Sequence, residues 1–292
     1  MRKKKKNVPT QGSVYRESFG TKLLKILLNG YMTLVTIFAL FPLIWMILSS
    51  LKSEKDFSNN QLGLPEKFHF DNYSRAWKMA NMDTAVINSL IVTVLSVILV
   101  LVLSFLIAYM LNRYVFTGRK IIYMLFLIGM MIPAHSFIIP VYIQFMKMNM
   151  LNNIFSLILI NVAFAMPFSI ILMENFLGGI PKEIDEACII DGTNLFQRIR
   201  YVMMPLCRPI VMTVTILESM WIWNEFPFSL TIITDIVNRT LPITLVNFKG
   251  EHTIDYTAMF AALVLASIPI LVIYSIFSEK IMEGMTAGSV KG

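Results

Sequence analysis

The chain has 292 residues, of which 56% are hydrophobic and only 15% charged, with a formal net charge of +7. An ordinary soluble domain carries roughly 25% charged residues, so a soluble globular fold is excluded: most of this apolar surface would have nowhere to go. The positive balance calls for no nucleic-acid partner, because its distribution along the chain has a simpler cause.

Six apolar runs reach the length of about 20 residues needed to cross a hydrocarbon core roughly 30 Å thick. They lie near 24–50, 87–111, 121–142, 154–177, 204–228 and 258–278. None alternates in polarity as a barrel strand would, so the predicted fold class is all-α, a polytopic membrane protein with six transmembrane helices. The N-terminal 25 residues hold eight Lys/Arg and one acid. The apolar run that follows is too long for a cleaved leader and lacks a small-residue cleavage site, so residues 1–22 are read as a retained basic segment. Six crossings then put both termini in the cytoplasm. The segments on that side carry 17 Lys/Arg and those outside carry 8, the bias that orients membrane helices. Membrane lipid is thus the first partner.

Residues 23–85 comprise the first span and a long outer segment, in which Phe68, Phe70, Tyr73 and Trp77 suit a short interfacial helix. Asn88-Ser89 is placed to cap the second span. The stretch 86–282 is read as a five-helix core. Within it, the inner connection 111–120 is short and basic, and Pro133 and Pro140 flank the outer end of the third span, where a kink is expected.

The segment 181–201 stands out as a polar insert between apolar runs. Gly178-Gly179-Ile180-Pro181 breaks the fourth helix, and Glu183, Asp185 and Glu186 crowd the first turn of a new one, where the helix dipole favours negative charge. Ile184, Ala187 and Cys188 make a small apolar face. Asp191-Gly192 ends the helix, with Gly192 suited to a left-handed cap. Asn194 can cap a second short helix carrying Leu195, Phe196 and Ile199 on one side. An ordinary amphipathic loop sealing the bundle explains these residues as well as a docking knob does. Further on, Glu218, Trp221, Trp223 and Asn224 cluster in the fifth span as ESMWIWNEF. A charge in lipid is costly, so Glu218 is expected to face a cavity or a polar partner. The tryptophans fit a sugar-stacking surface or simple packing equally well.

No GxxxxGK[ST] phosphate loop, HExxH or GxSxG motif is present. Cys188 and Cys207 fit no metal spacing and lie on the reducing side. No metal, catalytic group or cofactor is expected in this chain.

Glu186-Ala187-Cys188, Asp191-Gly192, Phe196, Ile199, Pro205 and Pro209 resemble the EAA loop of ABC-importer permeases, which runs E-A-A-x-x-x-D-G-A-x-x-x-x-F in many members. Small Cys188 and Thr193 stand where alanines are usual. NYSRAW, AYMLNRYVFTGRK, MIPAHSFIIPVYIQF, ENFLGGIPKEIDEA, WNEFPFSL and the terminal MTAGSVKG extend the likeness over nearly the whole chain, to the MalG-type carbohydrate permeases. The resemblance implies an ABC type I importer permease in a bacterial cell membrane. It also implies a second permease, two copies of a cytoplasmic ATPase subunit that bind ATP and Mg, and an external sugar-binding protein. Glu183, Glu186, Ala187, Cys188, Asp191, Gly192, Phe196 and Ile199 would then couple to the ATPase. The tail 283–292, with Thr286, Gly288 and Lys291, would contact it, and Glu218, Trp221, Trp223 and Asn224 would face the substrate pathway. Two alternatives stay open: an ABC permease for a non-sugar solute, and an ion-coupled secondary transporter, which would need buried charged sites.

Overall fold

A computed structural model describes residues 19–248 and 255–287. Its elements in chain order are α1 (Phe19–Ser50), α2 (Glu54–Asn59), α3 (Asp71–Met79), α4 (Met82–Arg113), α5 (Arg119–Met131), a 3₁₀ turn (Ala134–Phe137), α6 (Ile138–Lys147) and α7 (Ile154–Leu177). There follow α8 (Glu183–Ile190), α9 (Leu195–Gln197), a π-helical stretch (Arg198–Met203), α10 (Met204–Leu206), α11 (Arg208–Trp223), α12 (Pro227–Ile232), α13 (Leu241–Thr244) between short 3₁₀ turns, and α14 (Tyr256–Ala287). No strand occurs among the described residues. The all-α expectation holds.

Four helices are long and apolar enough to cross a membrane, and two further bent pairs bring the number to six if each pair is one span. The third span breaks where a kink is expected, and the fifth span, expected as a single rod, is bent as well. Run 121–142 breaks at Ile132-Pro133, and the two pieces meet at 91°. Proline lacks the N–H that would continue the ladder, and the residue before it is pushed toward extended backbone; Ile132 has ψ 123°. Run 204–228 bends by 78° around Cys207 and ends as a helix at Trp223.

α4 and α7 form the central pair. At one end Val92, Val97 and Val100 of α4 pack with Leu157, Ile158 and Ile160 of α7 and with Phe228 and Ile232 of α12. At the other, Phe105, Ala108 and Tyr109 pack with Met173 and Leu177, and with Met203, Cys207 and Ile210. Small polar residues, among them Ser96, Ser104, Ser169 and Thr213, are buried along this seam. Such residues let helix backbones approach closely where lipid supplies no hydrophobic drive for association.

The polar tip of the second span does something other than cap it. α4 begins at Met82, so Asn88 and Ser89 lie inside the helix. Asn88 Nδ2 donates to the carbonyls of Val237 (2.8 Å) and Arg239 (3.0 Å), and Ser89 Oγ accepts from Leu241 N at 2.8 Å. These bonds tie the 236–241 loop to α4. α3 carries exposed Trp77, and Phe68 and Phe70 just before it are exposed too, while Tyr73 Oη and Ser50 Oγ lie 2.8 Å apart and pin it to the end of α1.

Candidate functional site

The polar insert folds as expected in its local details. α8 carries Glu183, Asp185 and Glu186 in its first turn. Asp191 is its C-cap, and Gly192 follows with φ +75°, the left-handed conformation that a Cβ disfavours. The last carbonyls are satisfied by Asp191 N to Ala187 O, Gly192 N to Ile189 O and Thr193 N to Cys188 O, reinforced by Thr193 Oγ1 donating to Cys188 O at 2.7 Å. Asn194 and Gln197 close a reciprocal capping box at 2.9 Å in each direction. Cys188 is a free thiol, as is buried Cys207.

The faces of the insert are arranged differently from the expectation. Asp185 alone among the α8 residues is buried. Its Oδ2 forms an ion pair with Arg113 Nε at 2.7 Å, and its Oδ1 accepts from Tyr109 Oη at 2.7 Å. Arg113 also donates to the Ile180 carbonyl (3.1 Å) and to Asn112 Oδ1 (3.0 Å); Asn112 Nδ2 in turn donates to Glu174. Arg198, buried in the π-helical stretch, donates to Tyr114 Oη at 3.2 Å. The last turn of α4 thus grips α8, its linker and the following segment through charge and hydrogen bonds.

With that grip inside, apolar residues are left outside. Ile190 is 85% exposed and Phe196 71%, and Ile189, Leu195 and Tyr201 are exposed as well. Glu183, Glu186, Ala187, Asp191 and Gly192 are exposed, Cys188 is half-buried, and Ile199 packs on the core. The expected common side of Leu195, Phe196 and Ile199 is divided: the π-helical winding turns Ile199 inward and leaves Phe196 out. The residue that sequence reasoning left off its coupling list is Asp185. The available signal was spacing: Glu183 and Asp185 lie about 160° apart around a helix and so point to opposite faces.

At the opposite end of the bundle, the cluster in ESMWIWNEF separates. Leu217, Met220, Trp221 and Asn224 recur on one helical face and line a groove of about 380 Å³ with His135, Asn161 and Glu225. Trp221 is 60% exposed there. Glu218, 5% exposed, instead turns to α7, where Ser169 Oγ donates to its Oε1 at 2.8 Å. Trp223 is 4% exposed and packs among Ala258, Ala261 and Ala262 of α14, with its indole N–H toward the Ala266 carbonyl at 3.4 Å. At about 100° per residue, Trp223 lies about 160° around the helix from Trp221 and about 140° from Glu218, so the cluster cannot share one face. Proximity in sequence grouped these four residues; helical geometry assigns them to three surroundings.

Glu225 lies at the groove's edge and also caps α12. Its Oε1 accepts from Phe228 N (2.7 Å), and its Oε2 accepts from Ser229 N (3.0 Å) and Ser229 Oγ (2.6 Å). Thr286 lies in the last turn of α14, whereas Gly288 and Lys291 fall outside the described residues.

Comparison with known proteins gives this arrangement a family. Residues 101–285 match the family model described as "Binding-protein-dependent transport system inner membrane component". The diacetylchitobiose uptake system permease NgcG of Streptomyces coelicolor is 32% identical over 265 residues, covering 90% of this chain and 88% of that protein. AmyC of Thermoanaerobacterium thermosulfurigenes, described as a probable permease of a transport system for starch degradation products, is 31% identical over 267 residues, covering 91% and 97%. A solved chain from a bacterial ABC transporter involved in alginate import superposes with a TM-score of 0.78 at 23% identity, covering 90% of this chain and 98% of that one, a likeness of fold. The insert that interrupts the spans therefore sits in a known architecture: the chain belongs to the inner-membrane permease components of binding-protein-dependent transport systems.

Proposed function

We propose that this permease forms half of the translocation pathway of an ATP-driven importer for a sugar or oligosaccharide. It would work with a second permease, two copies of a cytoplasmic ATPase subunit and an external sugar-binding protein. The observation that carries the coupling is the split character of 181–201. A buried ion pair holds Asp185 to α4, while Ile190 and Phe196 stand exposed on a polar segment. Exposed apolar residues on a short, capped helix suit a partner's groove. Glu183 and Glu186 flank them with negative charge available to a cationic surface.

ATP and Mg would be held by the ATPase subunits, and no bond is made or broken in this chain. Both termini would lie in the cytoplasm, following the basic bias of the segments at the α8 end. Thr286, Gly288 and Lys291 would extend from α14 toward the ATPase pair. The names of the relatives, which cite diacetylchitobiose and starch degradation products, support the sugar class. So does the groove: Trp221 offers a flat apolar face beside Asn224, Asn161 and His135, the mixture that a sugar's C–H surface and hydroxyls require. Glu218, tied to Ser169, would hold α11 to α7 next to that pathway.

The test is a detergent pull-down of the ATPase subunit paired with uptake of labelled oligosaccharide. Ile190→Asp with Phe196→Asp should insert normally, release the ATPase and abolish uptake. Normal uptake by that variant, or ATP hydrolysis by the pure chain alone, sinks the reading.

A further inference from the structure

A second cavity, about 650 Å³, is separate from the Trp221 groove and from the exposed knob of α8. It opens at the α8 end, between the last turn of α4, the loop 114–118, the start of α5 and Glu174 of α7. α4 and α7 end and α5 begins at this level, the depth at which spans of this length would pass from hydrocarbon to headgroups. Its lining is mixed: Leu111, Val115 and Ile121 are apolar, and Arg119, Lys120 and Glu174 are charged.

The charges are unbalanced in an informative way. Arg119 and Lys120 open α5, which has no acid in its first turn and no side-chain cap. Cations at the positive end of a helix repel its dipole, so this end favours an anion. Neither cation pairs with an acid among the described residues. Open space faces Gly118, whose φ of +90° turns the chain into α5. Glu174 is held beside them, accepting from Asn112 Nδ2 at 3.1 Å. Val115 and Ile121, 90% and 60% exposed, carry the apolar part of the lining onto the outer surface of the helices.

We propose that this cavity binds a phospholipid whose headgroup carries a primary ammonium. Its phosphate rests on Arg119 and Lys120, its ammonium donates to Glu174, and an acyl chain lies along Val115 and Ile121. A choline headgroup has no N–H for Glu174, and a glycerol headgroup has no positive charge. A serine headgroup has the ammonium but brings a second anion toward Glu174, so the lining favours phosphatidylethanolamine. Basic pockets between membrane helices are recognised headgroup sites in general, and this one adds a carboxylate that reads the amine.

The experiment uses the full chain extracted with its partners and exchanged into phosphatidylcholine nanodiscs doped with phosphatidylethanolamine or phosphatidylglycerol. Lipid retained after mild detergent extraction is counted by mass spectrometry. Phosphatidylethanolamine should be enriched over the bulk. Arg119→Gln with Lys120→Gln should cut its retention roughly tenfold or more, since each cation near a lipid surface typically supplies several-fold. The exchange Arg119→Lys with Lys120→Arg should keep it, which separates lipid binding from insertion even if the neutral variant inserts poorly. Glu174→Gln should remove the preference over phosphatidylglycerol. Absence of enrichment, equal enrichment in the neutral variant, or phosphatidylglycerol held more tightly by the unaltered protein each overturns the proposal. Displacement of the lipid by inorganic phosphate alone also overturns it, because the acyl chain would then have no part.

Discussion

α8 and α12 are both short helices set at opposite ends of the same bundle, and they handle their apolar residues in opposite ways. α12 turns Phe228 and Ile232 into the core with Val100, Leu157 and Ile222, and the carboxylate of Glu225, two residues before it, caps its first turn. α8 sends its buried carboxylate across to Arg113 and Tyr109, and leaves Ile189 and Ile190 exposed. Hydrophobic packing holds the first helix in place. The second is held by charge, which frees its apolar side chains for something else. Within one chain, the helix that hides its apolar face is part of the core, and the helix that displays it is the one proposed above to meet a partner.

The largest effect on stability is expected where the charge tether is cut. Asp185→Ala strands Arg113 beside the core, and removing one partner of a buried pair typically costs about 3–5 kcal/mol. Thermal unfolding in detergent should show a marked loss. Asp185→Asn, which keeps the shape and a group to accept from Tyr109, should fall between the two. If Asp185→Ala melts like the unaltered protein, α8 is held by something other than this pair.

Glu225→Ala removes three hydrogen bonds from the start of α12, a capping loss of around 1–2 kcal/mol. The same melting curve reads it. Because Glu225 also borders the groove, uptake per folded complex separates the cap from any contact with solute.

Gly192→Val is expected to cost a similar ~1–2 kcal/mol. A Cβ at Gly192 would meet nothing within 4 Å, so the cost starts from the strain of φ +75° rather than from a clash at that atom. The second short helix should be misdirected, and uptake should fall further than stability does. Uptake that merely tracks stability would remove the reason for the turn.

The smallest effect on stability belongs to Phe196→Ala and Trp221→Ala, since both side chains are mostly exposed. Melting should be unchanged within about 0.5 kcal/mol. The two should differ in function: Phe196→Ala weakens ATPase retention in a pull-down, and Trp221→Ala raises the sugar concentration needed for half-maximal uptake while the ATPase stays bound. Identical phenotypes would erase the distinction between the two ends.

Much of this protein could be read from its sequence because the controlling forces are local. Apolar runs of membrane-spanning length, acids in the first turn of α8, Asn194 as a cap and Gly192 as a left-handed turn all depend on a few neighbouring residues. The EAA-like spacing is local too. Tertiary structure decided which side each residue faces. It drew Asp185 to Arg113, 72 positions earlier in the chain, turned Asn88 and Ser89 from capping α4 to holding the 236–241 loop, and divided Glu218, Trp221 and Trp223 among α7, the groove and α14. In a chain apolar on nearly every helical face, hydrophobic periodicity carries little directional information. Orientation is set by the few polar groups that find partners on other helices, and those pairings appear only once the helices are packed.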